Sequence, residues 1–320
     1  MSRLIFAFLV LTLSSTSLHA QFSWKDTEGE YLDLIHGSRS IARYVYKPID
    51  ESSPERRDQT YKPFCHVYQW WNRDQFLTKG PGGRYSHHRG IFYGFSKISY
   101  TDHEGVSHER VDNWHCRTAA QVHREFLKKE SGAKGAGFIS RIDWLGNDSK
   151  PFAIEERGMS FTLIENDIVI DFTSVLQPLV PSLRLDGDPQ HAGFQFRASQ
   201  EVFEETAKAT FFTRPETGTG APGITMNWSA KNDSKQTRDL PWKGMTFRLA
   251  DKSYTVVYLD SPGNPKPARY SERDYGRFGS YFATTVTNDA PLTVRYRLVI
   301  HHGEMTPEEM EGLSRDFSGN

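Results

Sequence analysis

The sequence predicts an all-β protein, a sandwich or barrel of antiparallel strands that ends in a short C-terminal helix. Many short segments alternate apolar and polar residues, which is the pattern of a strand with one buried face. Gly, Pro, Asn or Asp residues cluster between most of these segments and indicate turns. Helical periodicity is sparse before residue 306. These three observations together favour sheets that pack on one another.

The predicted strands are short, and most of them are separated by residues that favour turns. Alternation is clearest in segment 292–300, where apolar side chains recur at every second residue. Segments 159–164 and 168–175 are separated by the polar tripeptide Glu165-Asn166-Asp167, which predicts a hairpin with a short turn. The remaining predicted strands are 41–46, 66–71, 91–98, 138–145, 194–197, 245–249 and 254–259.

The helix prediction rests on the sequence Thr306-Pro307-Glu308-Glu309. Thr306 suits the N-cap, Pro suits the first helical position, and Glu309 completes a capping box. We therefore predict a helix that runs to about Leu313. No linker rich in Gly, Ser or Pro divides the chain, so residues 21–320 are expected to form one domain.

The charge balance and the apolar content exclude two classes of protein. The 320 residues include 39 Lys and Arg against 40 Asp and Glu, a formal net charge of -1. No overall positive field exists to attract nucleic acid, so no nucleic-acid partner is expected. The only long apolar run, residues 4–13, is too short for a membrane span, which needs about 20 residues. We therefore expect no membrane span.

The N-terminal segment has the pattern of an export signal. Arg3 precedes the apolar run, polar residues 14–17 follow it, and Ala20 supplies the small residue that a signal peptidase requires. We predict that residues 1–20 are a cleaved signal peptide and that the mature chain is periplasmic or extracellular. In such a compartment Cys65 and Cys116 could form a disulfide or remain two buried thiols, and the sequence leaves both alternatives open.

Candidate chemistry is densest between His66 and Arg89. A Gly-Pro-Gly-Gly loop at 80–83 carries the triplet His87-His88-Arg89 into a predicted strand, and polar side chains at the end of a rigid strand are well placed for a site. Adjacent strand residues point to opposite faces, so one of His87 and His88 is expected to face the site. A neutral imidazole can accept a proton or bind a metal ion, and Arg89 could stabilise an oxyanion.

Other motifs extend or narrow the chemistry. In a second, loose series of histidines, His115 is the best site candidate because it lies between Trp114 and Cys116. The aromatic side chain of Trp70 would suit the apolar face of a pyranose. The sequence contains no P-loop, no dinucleotide fingerprint and no G-x-S-x-G elbow, so neither a nucleotide cofactor nor serine hydrolysis is expected.

A further polar region lies towards the C-terminus. Segment 260–265 is a Pro- and Gly-containing loop that includes Asn264. Downstream, Arg273, Asp274 and Tyr275 supply a cation, an acid and a phenol in succession, which are groups that can take part in proton transfer. The alternative is an Arg–Asp ion pair on a surface turn.

Five segments, spread over most of the predicted mature chain, share motifs with one known family. They are 62–66 (KPFCH), 86–94 (SHHRGIFYG), 261–265 (SPGNP), 273–276 (RDYG) and 295–303 (RYRLVIHHG). In this order they resemble a bacterial domain-of-unknown-function family labelled "methane oxygenase PmoA". In one departure from that family, Tyr85-Ser86 stand where its members have His-Pro.

The resemblance implies a double-sheet antiparallel β-sandwich of the galactose-mutarotase-like type, with no established reaction. It also implies an association with sugar metabolism, because such families often accompany secreted sugar-degrading enzymes. Methane oxygenase activity is not expected, since a particulate methane oxygenase subunit crosses the membrane several times and this chain has no predicted span.

We therefore predict a carbohydrate-active enzyme that acts on a glycoside or keto-sugar by acid/base chemistry, namely elimination, hydrolysis or epimerisation. The alternatives are a noncatalytic carbohydrate-binding sandwich and a purely structural protein. His88 is predicted to be the base or a metal ligand, and whether a divalent metal is bound stays open. The other predicted catalytic residues are His66, Arg89, Arg273, Asp274 and Tyr275. The predicted substrate-binding residues are His87, Trp70 and Asn264.

Overall fold

The computed structural model describes residues 21–72 and 74–319, so the predicted signal peptide lies outside the described residues. These residues form two α-helices, α1 (Pro54–Thr60) and α2 (Pro307–Ser318), and short helical turns at Val202–Thr206 and Ala207–Ala209. The strands are β1 (Phe22–Thr27), β2 (Tyr31–His36), β3 (Arg39–Val45), β4 (Phe64–Val67), β5 (Ile91–Phe95), β6 (Lys97–Thr101), β7 (Ser107–Val111), β8 (Ala120–Ser131), β9 (Ala136–Leu145), β10 (Pro151–Ile164), β11 (Asp167–Pro178), β12 (Ser182–Asp186), β13 (Ala192–Arg197), β14 (Phe211–Arg214), β15 (Gly218–Thr219), β16 (Trp242–Leu249), β17 (Lys252–Asp260), β18 (Arg269–Arg273), β19 (Arg277–Tyr281), β20 (Thr284–Thr287) and β21 (Leu292–His301).

The prediction of an all-β, double-sheet protein is confirmed. The first sheet has eight strands in the order β1-β2-β3-β4-β5-β13-β19-β18, and the second has nine in the order β15-β14-β16-β17-β21-β11-β10-β9-β8. A third sheet of four strands, β20-β12-β6-β7, was not predicted. The predicted hairpin is also confirmed, because β10 and β11 pair antiparallel from Ile164 opposite Asp167 back to Ala153 opposite Pro178.

The main core lies between the first and second sheets. Phe194 of β13 packs against Phe172 of β11 and Tyr296 of β21, with ring centroids 4.5 and 4.9 Å apart. Side chains alternate along a strand, so Gln195 and Arg197 lie on the opposite, outer face of the first sheet. Both are nevertheless buried. The outer face therefore carries polar groups that loops cover, and this is where the candidate site lies.

Helix α2 closes the other side of the second sheet. The predicted capping box is present, with the Thr306 side chain accepting from the Glu309 backbone and the Glu309 side chain accepting from the Thr306 backbone. The helix continues beyond the predicted end at Leu313, because Phe317 joins Met310 in an apolar cluster against that sheet. No helix among residues 21–72 and 74–319 combines the length and apolar character that a bilayer crossing requires. Cys65 and Cys116 are both buried free thiols.

Candidate functional site

Loops on the outer face of the first sheet bring four imidazoles together. His87 and His88 come from the loop before β5, His115 from the turn after β7, and His191 from the turn before β13. The ring centroids of His87 lie 4.3 Å from His88 and 4.5 Å from His115, and His115 lies 4.7 Å from His191. The rings of His88 and His191 are nearly parallel and 5.6 Å apart. We call these four residues the histidine cluster.

Two members of the cluster are held by the same local motif, Asp-x-x-His. Oδ1 of Asp112 accepts from the backbone N–H of His115, and Oδ2 accepts from the Nδ1–H of the same residue at 2.7 Å. Oδ1 of Asp188 accepts from a backbone N–H of its own turn, and Oδ2 lies 3.0 Å from Nδ1 of His191. Each carboxylate therefore fixes the turn and orients the imidazole, leaving Nε2 of the histidine as the free ring nitrogen.

The other two members, His87 and His88, are uncharged. Burial, together with the neighbouring side chains of His115 and Lys62, lowers the pKa of His87 to about 2. Burial and the nearby guanidinium of Arg277 hold the pKa of His88 well below its usual range. A neutral imidazole keeps a lone pair on one ring nitrogen, which is the form that binds a metal ion or accepts a proton.

Three members of the cluster could hold a metal ion. One donor atom from each of His87, His115 and His191 can be chosen so that all three lie within 4.8 Å of one another. Within the described part of the chain, no second group of His, Cys, Asp or Glu side chains meets this geometry. Nε2 of His87 is buried and has no hydrogen-bond partner among the described residues.

Two buried guanidinium groups lie on the same face of the first sheet. Arg197 of β13 and Arg277 of β19 stand directly opposite each other in the strand pairing. Arg277 donates to Gln195 at 2.9 Å and to Ser271 at 2.7 Å, and burial lowers the pKa of each arginine to about 10. Nε and Nη2 of Arg197 and Nε of Arg277 have no partner among the described residues. Buried unpaired donors of this kind are costly and suit an anionic oxygen of a ligand.

Aromatic rings connect the arginines to the histidine cluster. The guanidinium of Arg197 lies 4.8 Å from the ring centroid of Tyr275 and donates to the Tyr275 carbonyl oxygen. Tyr85 lies 5.2 Å from Tyr275 and 6.1 Å from His88, measured between ring centroids. Tyr85 has a φ of +57°, which is unusual for a bulky residue, and it is 37% exposed. Backbone strain of this kind is concentrated at functional sites.

The structure places several predicted site residues on or beside this face. His87, His88 and Tyr275 belong to it, as described above. Arg273 lies at its edge, where the guanidinium donates to Asn227 at 2.8 Å. Asp274 is next in the chain but forms an ion pair of 3.0 Å with Lys208, an exposed residue.

Three other predicted residues have their polar groups or rings engaged elsewhere. Arg89 is fully buried and forms a salt bridge of 3.2 Å with Asp58. Asn264 exchanges two hydrogen bonds of 2.8 Å with the backbone of β21. The ring of Trp70 packs 4.6 Å from the ring of His302. The polar groups of Arg89 and Asn264 therefore bond to the fold itself.

His66 faces a separate cavity of about 730 Å³. The imidazole stacks on Phe76 with 3.9 Å between ring centroids, and its Nδ1 lies 2.9 Å from the Thr78 hydroxyl. Tyr31 and Arg43 also line the cavity. The same cavity wall includes Pro81, Gly82 and Asp58, so the loop that carries His87 borders both the cavity and the histidine cluster.

We expect His66 to make the stability of the fold depend on pH. Burial, with the charges of Arg43 and Lys79, lowers the pKa of His66 to about 3 in the folded chain. The unfolded chain takes up a proton at about pH 6.5, so the contribution of neutral His66 is present above that pH and is lost as pH falls towards 3. We expect the stability difference between wild type and His66→Gln to shrink by roughly 2–3 kcal/mol from pH 7.5 to pH 4.5. Urea unfolding at both values measures it, and a pH-independent difference would contradict the prediction.

Sequence reasoning missed His191, Arg197 and Arg277. The signal for His191 is the motif Asp-x-x-His, which occurs both at 112–115 and at 188–191. The two arginines carry a weaker signal, because Arg197 is the last residue of β13 and Arg277 is the first residue of β19, and a charged residue at a strand end is usually solvated. Their pairing became visible only with the order of the strands.

Comparison with solved structures returned distant similarities. The chain is similar to a galactose mutarotase related enzyme from Lactobacillus acidophilus, with 9% identity, a TM-score of 0.41 and coverage of 89% of this chain and 99% of that one. It is also similar to an α-galactosidase from Geobacillus stearothermophilus, with 11% identity, a TM-score of 0.37 and coverage of 90% and 40%. No curated protein matches the sequence. A family model matches residues 31–315, and the chain therefore belongs to that family, a family of unknown function (DUF6807).

Proposed function

We propose that this chain is an exported, periplasmic or extracellular enzyme that acts on a carbohydrate, a glycoside or keto-sugar, on the outer face of the first sheet. The observation that carries the proposal is the pair of buried guanidinium groups of Arg197 and Arg277, which face each other without a full set of partners. Like charges placed directly opposite in a sheet destabilise the fold. Their presence is explained if a ligand brings negative charge to them.

The reaction class follows from the negative charge that the ligand would bring to the two arginines, because a reaction that forms an anionic oxygen supplies it. In elimination or epimerisation of a keto-sugar, a base removes the proton from the carbon next to the carbonyl group. The electron pair of the broken C–H bond forms a carbon–carbon double bond, and the carbonyl oxygen becomes anionic. Arg197 and Arg277 would stabilise this oxygen by hydrogen bonds in a water-poor site. We assign the base to Tyr275 reacting as its phenolate, whose oxygen takes the proton from carbon beside the cationic groups of Arg197 and Arg277. In elimination the phenol formed in this way returns that proton to the departing oxygen.

The carboxylates beside the histidine cluster do not favour glycoside hydrolysis by two carboxyl groups. Asp112 and Asp188 each bind the Nδ1–H of a histidine and a backbone N–H with their two oxygens. Carboxylates engaged in this way are poorly available as acid and nucleophile. The substrate class rests on the rings of Tyr85 and Tyr275, which suit the apolar face of a pyranose.

A second candidate function is carbohydrate binding without turnover. The cavity of about 730 Å³ beside His66 has the size of a small-molecule site. It combines the rings of Tyr31 and Phe76 with the charged groups of Arg43 and Asp58. Aromatic and charged groups together are typical of sugar sites.

The decisive experiment is an exchange and turnover screen by NMR. The purified chain is incubated in D₂O with 3-keto-glycosides and with oligosaccharides, with and without added divalent metal. Replacement of the hydrogen next to the carbonyl by deuterium, or formation of a new product, would support the enzyme. Sugar signals that broaden without exchange or product would support the binding module. Neither effect on any sugar tested would contradict both candidates.

Replacing Tyr275 by Phe removes one hydroxyl from the site. We expect the rate of exchange or turnover to fall by roughly 10²-fold, which is typical for the loss of a proton-transfer group. The matched control is Tyr254→Phe, because the Tyr254 hydroxyl is also buried but belongs to β17 in the second sheet. Equal rates in wild type and Tyr275→Phe would remove Tyr275 from the mechanism.

A further inference from the structure

We propose that His87, His115 and His191 bind a divalent transition-metal ion, with Zn²⁺ as the prototype. The three side chains come from three separate loops on the outer face of the first sheet. Their donor atoms lie within 4.8 Å of one another. Ligand nitrogens around Zn²⁺ lie roughly 3.4 Å apart, given Zn–N bonds of about 2.0–2.1 Å in a tetrahedron. Small rotations of the imidazoles bring the group to that spacing.

The orientation of two ligands is already set by carboxylates. A metal-binding histidine almost always donates its second ring N–H to a carboxylate, a carbonyl oxygen or water. His115 donates to Asp112 at 2.7 Å, and His191 pairs with Asp188 at 3.0 Å. In both cases Nδ1 carries the proton, because a carboxylate oxygen accepts, and the lone pair remains on Nε2. The same arrangement at two positions distinguishes these turns from ordinary surface His–Asp pairs.

Hydrogen bonds from one buried lysine link the backbones of the loops that carry His87 and His115. Nζ of Lys62 donates to the carbonyl oxygen of His87 at 2.9 Å and to that of Trp114 at 2.6 Å. One buried side chain thus links the residue before His115 to His87 itself. Nε2 of His87 is buried without a hydrogen-bond partner among the described residues, a cost that a metal ion would remove.

The donor set selects the class of metal. Three imidazole nitrogens suit Zn²⁺, Cu²⁺, Ni²⁺ or Co²⁺, whereas Ca²⁺ and Mg²⁺ prefer oxygen ligands. Three protein ligands leave a fourth position open to water or substrate, which is typical of catalytic rather than structural zinc sites. All three histidine residues are partly exposed. Any role of the ion in turnover rests on the proposed function, but its binding does not.

The test measures metal binding directly, without a sugar. Chain prepared without a histidine tag is treated with chelator, dialysed, and titrated with ZnCl₂ by calorimetry and with CoCl₂ by visible absorption. We expect one ion per chain and the absorption bands of Co²⁺ bound to nitrogen in a four- or five-coordinate site. Absence of saturable binding at micromolar metal would overturn the proposal and would leave the proposed function to be judged by the sugar screen alone.

Variants locate the site. We expect His115→Ala and His191→Ala to weaken Zn²⁺ binding at least 100-fold, and Asp112→Asn to weaken it by about 10–100-fold, as found for such supporting carboxylates. His108→Ala is the matched control, because His108 also pairs with a carboxylate, Asp102 at 2.9 Å, but outside the histidine cluster. Circular dichroism of the metal-free chains verifies folding. Unchanged affinity in both histidine variants would place the ion elsewhere and overturn the assignment.

Discussion

Replacing Glu272 by Ala is expected to lower the free energy of unfolding by about 3–5 kcal/mol, because it leaves two cations buried without their counter-ion. Glu272 lies on β18 of the first sheet and forms a bidentate pair with Arg214 of β14, at 2.9 and 2.6 Å. Nζ of Lys243, on β16, lies 2.8 Å from the same carboxylate. Burial raises the pKa of Glu272, but Lys243 and Arg214 outweigh it, so the pKa is lowered and the group stays charged.

Urea unfolding at pH 7 measures this loss. Glu156→Ala is the control, since Glu156 is exposed on β10 and its removal is expected to change the free energy of unfolding by less than about 0.5 kcal/mol. A loss below about 1 kcal/mol for Glu272→Ala would mean that Arg214 and Lys243 find other partners or water.

Replacing Arg277 by Met is expected to lower the rate of sugar exchange or turnover by about 10²–10³-fold. This is the effect of removing one donor to a developing oxyanion, about 2.7–4 kcal/mol. Stability is expected to respond differently. Arg277 faces Arg197 across the strand pair, and replacing a buried charge by an apolar side chain of similar length is often neutral or stabilising. We therefore expect the free energy of unfolding to stay within about 1 kcal/mol of the wild-type value.

A large loss of activity without a loss of stability is the result that would identify Arg277 as part of the site. Arg295→Met serves as control, because Arg295 is exposed on β21 and should affect neither quantity. If Arg277→Met lost activity and stability together, Arg277 would be a structural residue, bound to Gln195 and Ser271 for the sake of the sheet. If activity were retained, the oxyanion assignment would be wrong.

The fold was predictable where strands have one buried face. The alternation in 292–300 marks β21, and the tripeptide at 165–167 marks the hairpin of β10 and β11. Strand β8 was missed because it lies at the edge of the second sheet and exposes most of its residues, which removes the period-two signal. Segment 91–98 was predicted as one strand, but the chain changes sheets at Ser96, between β5 and β6.

The candidate site was predictable only in part. The loop at 80–90 is conspicuous because glycines and histidines are adjacent in sequence. His115 and His191 are 76 residues apart in the chain. Their turns meet at the end of β5, where the Asn113 N–H donates to the Phe95 carbonyl oxygen and the Ser96 N–H donates to the His191 carbonyl oxygen. For His66 and His88 the sequence is misleading in the other direction, because closeness in the chain does not place them in one site. They are near in sequence, yet His66 faces the separate cavity while His88 joins the cluster.

The position of β21 also has a consequence for biosynthesis. In the second sheet it lies between β17 and β11, so it joins the block formed by β14 to β17 to the block formed by β8 to β11. Neither block can pair with β21 until the ribosome has synthesised the chain through residue 301. Until then each block presents an open strand edge, and open edges are prone to aggregation.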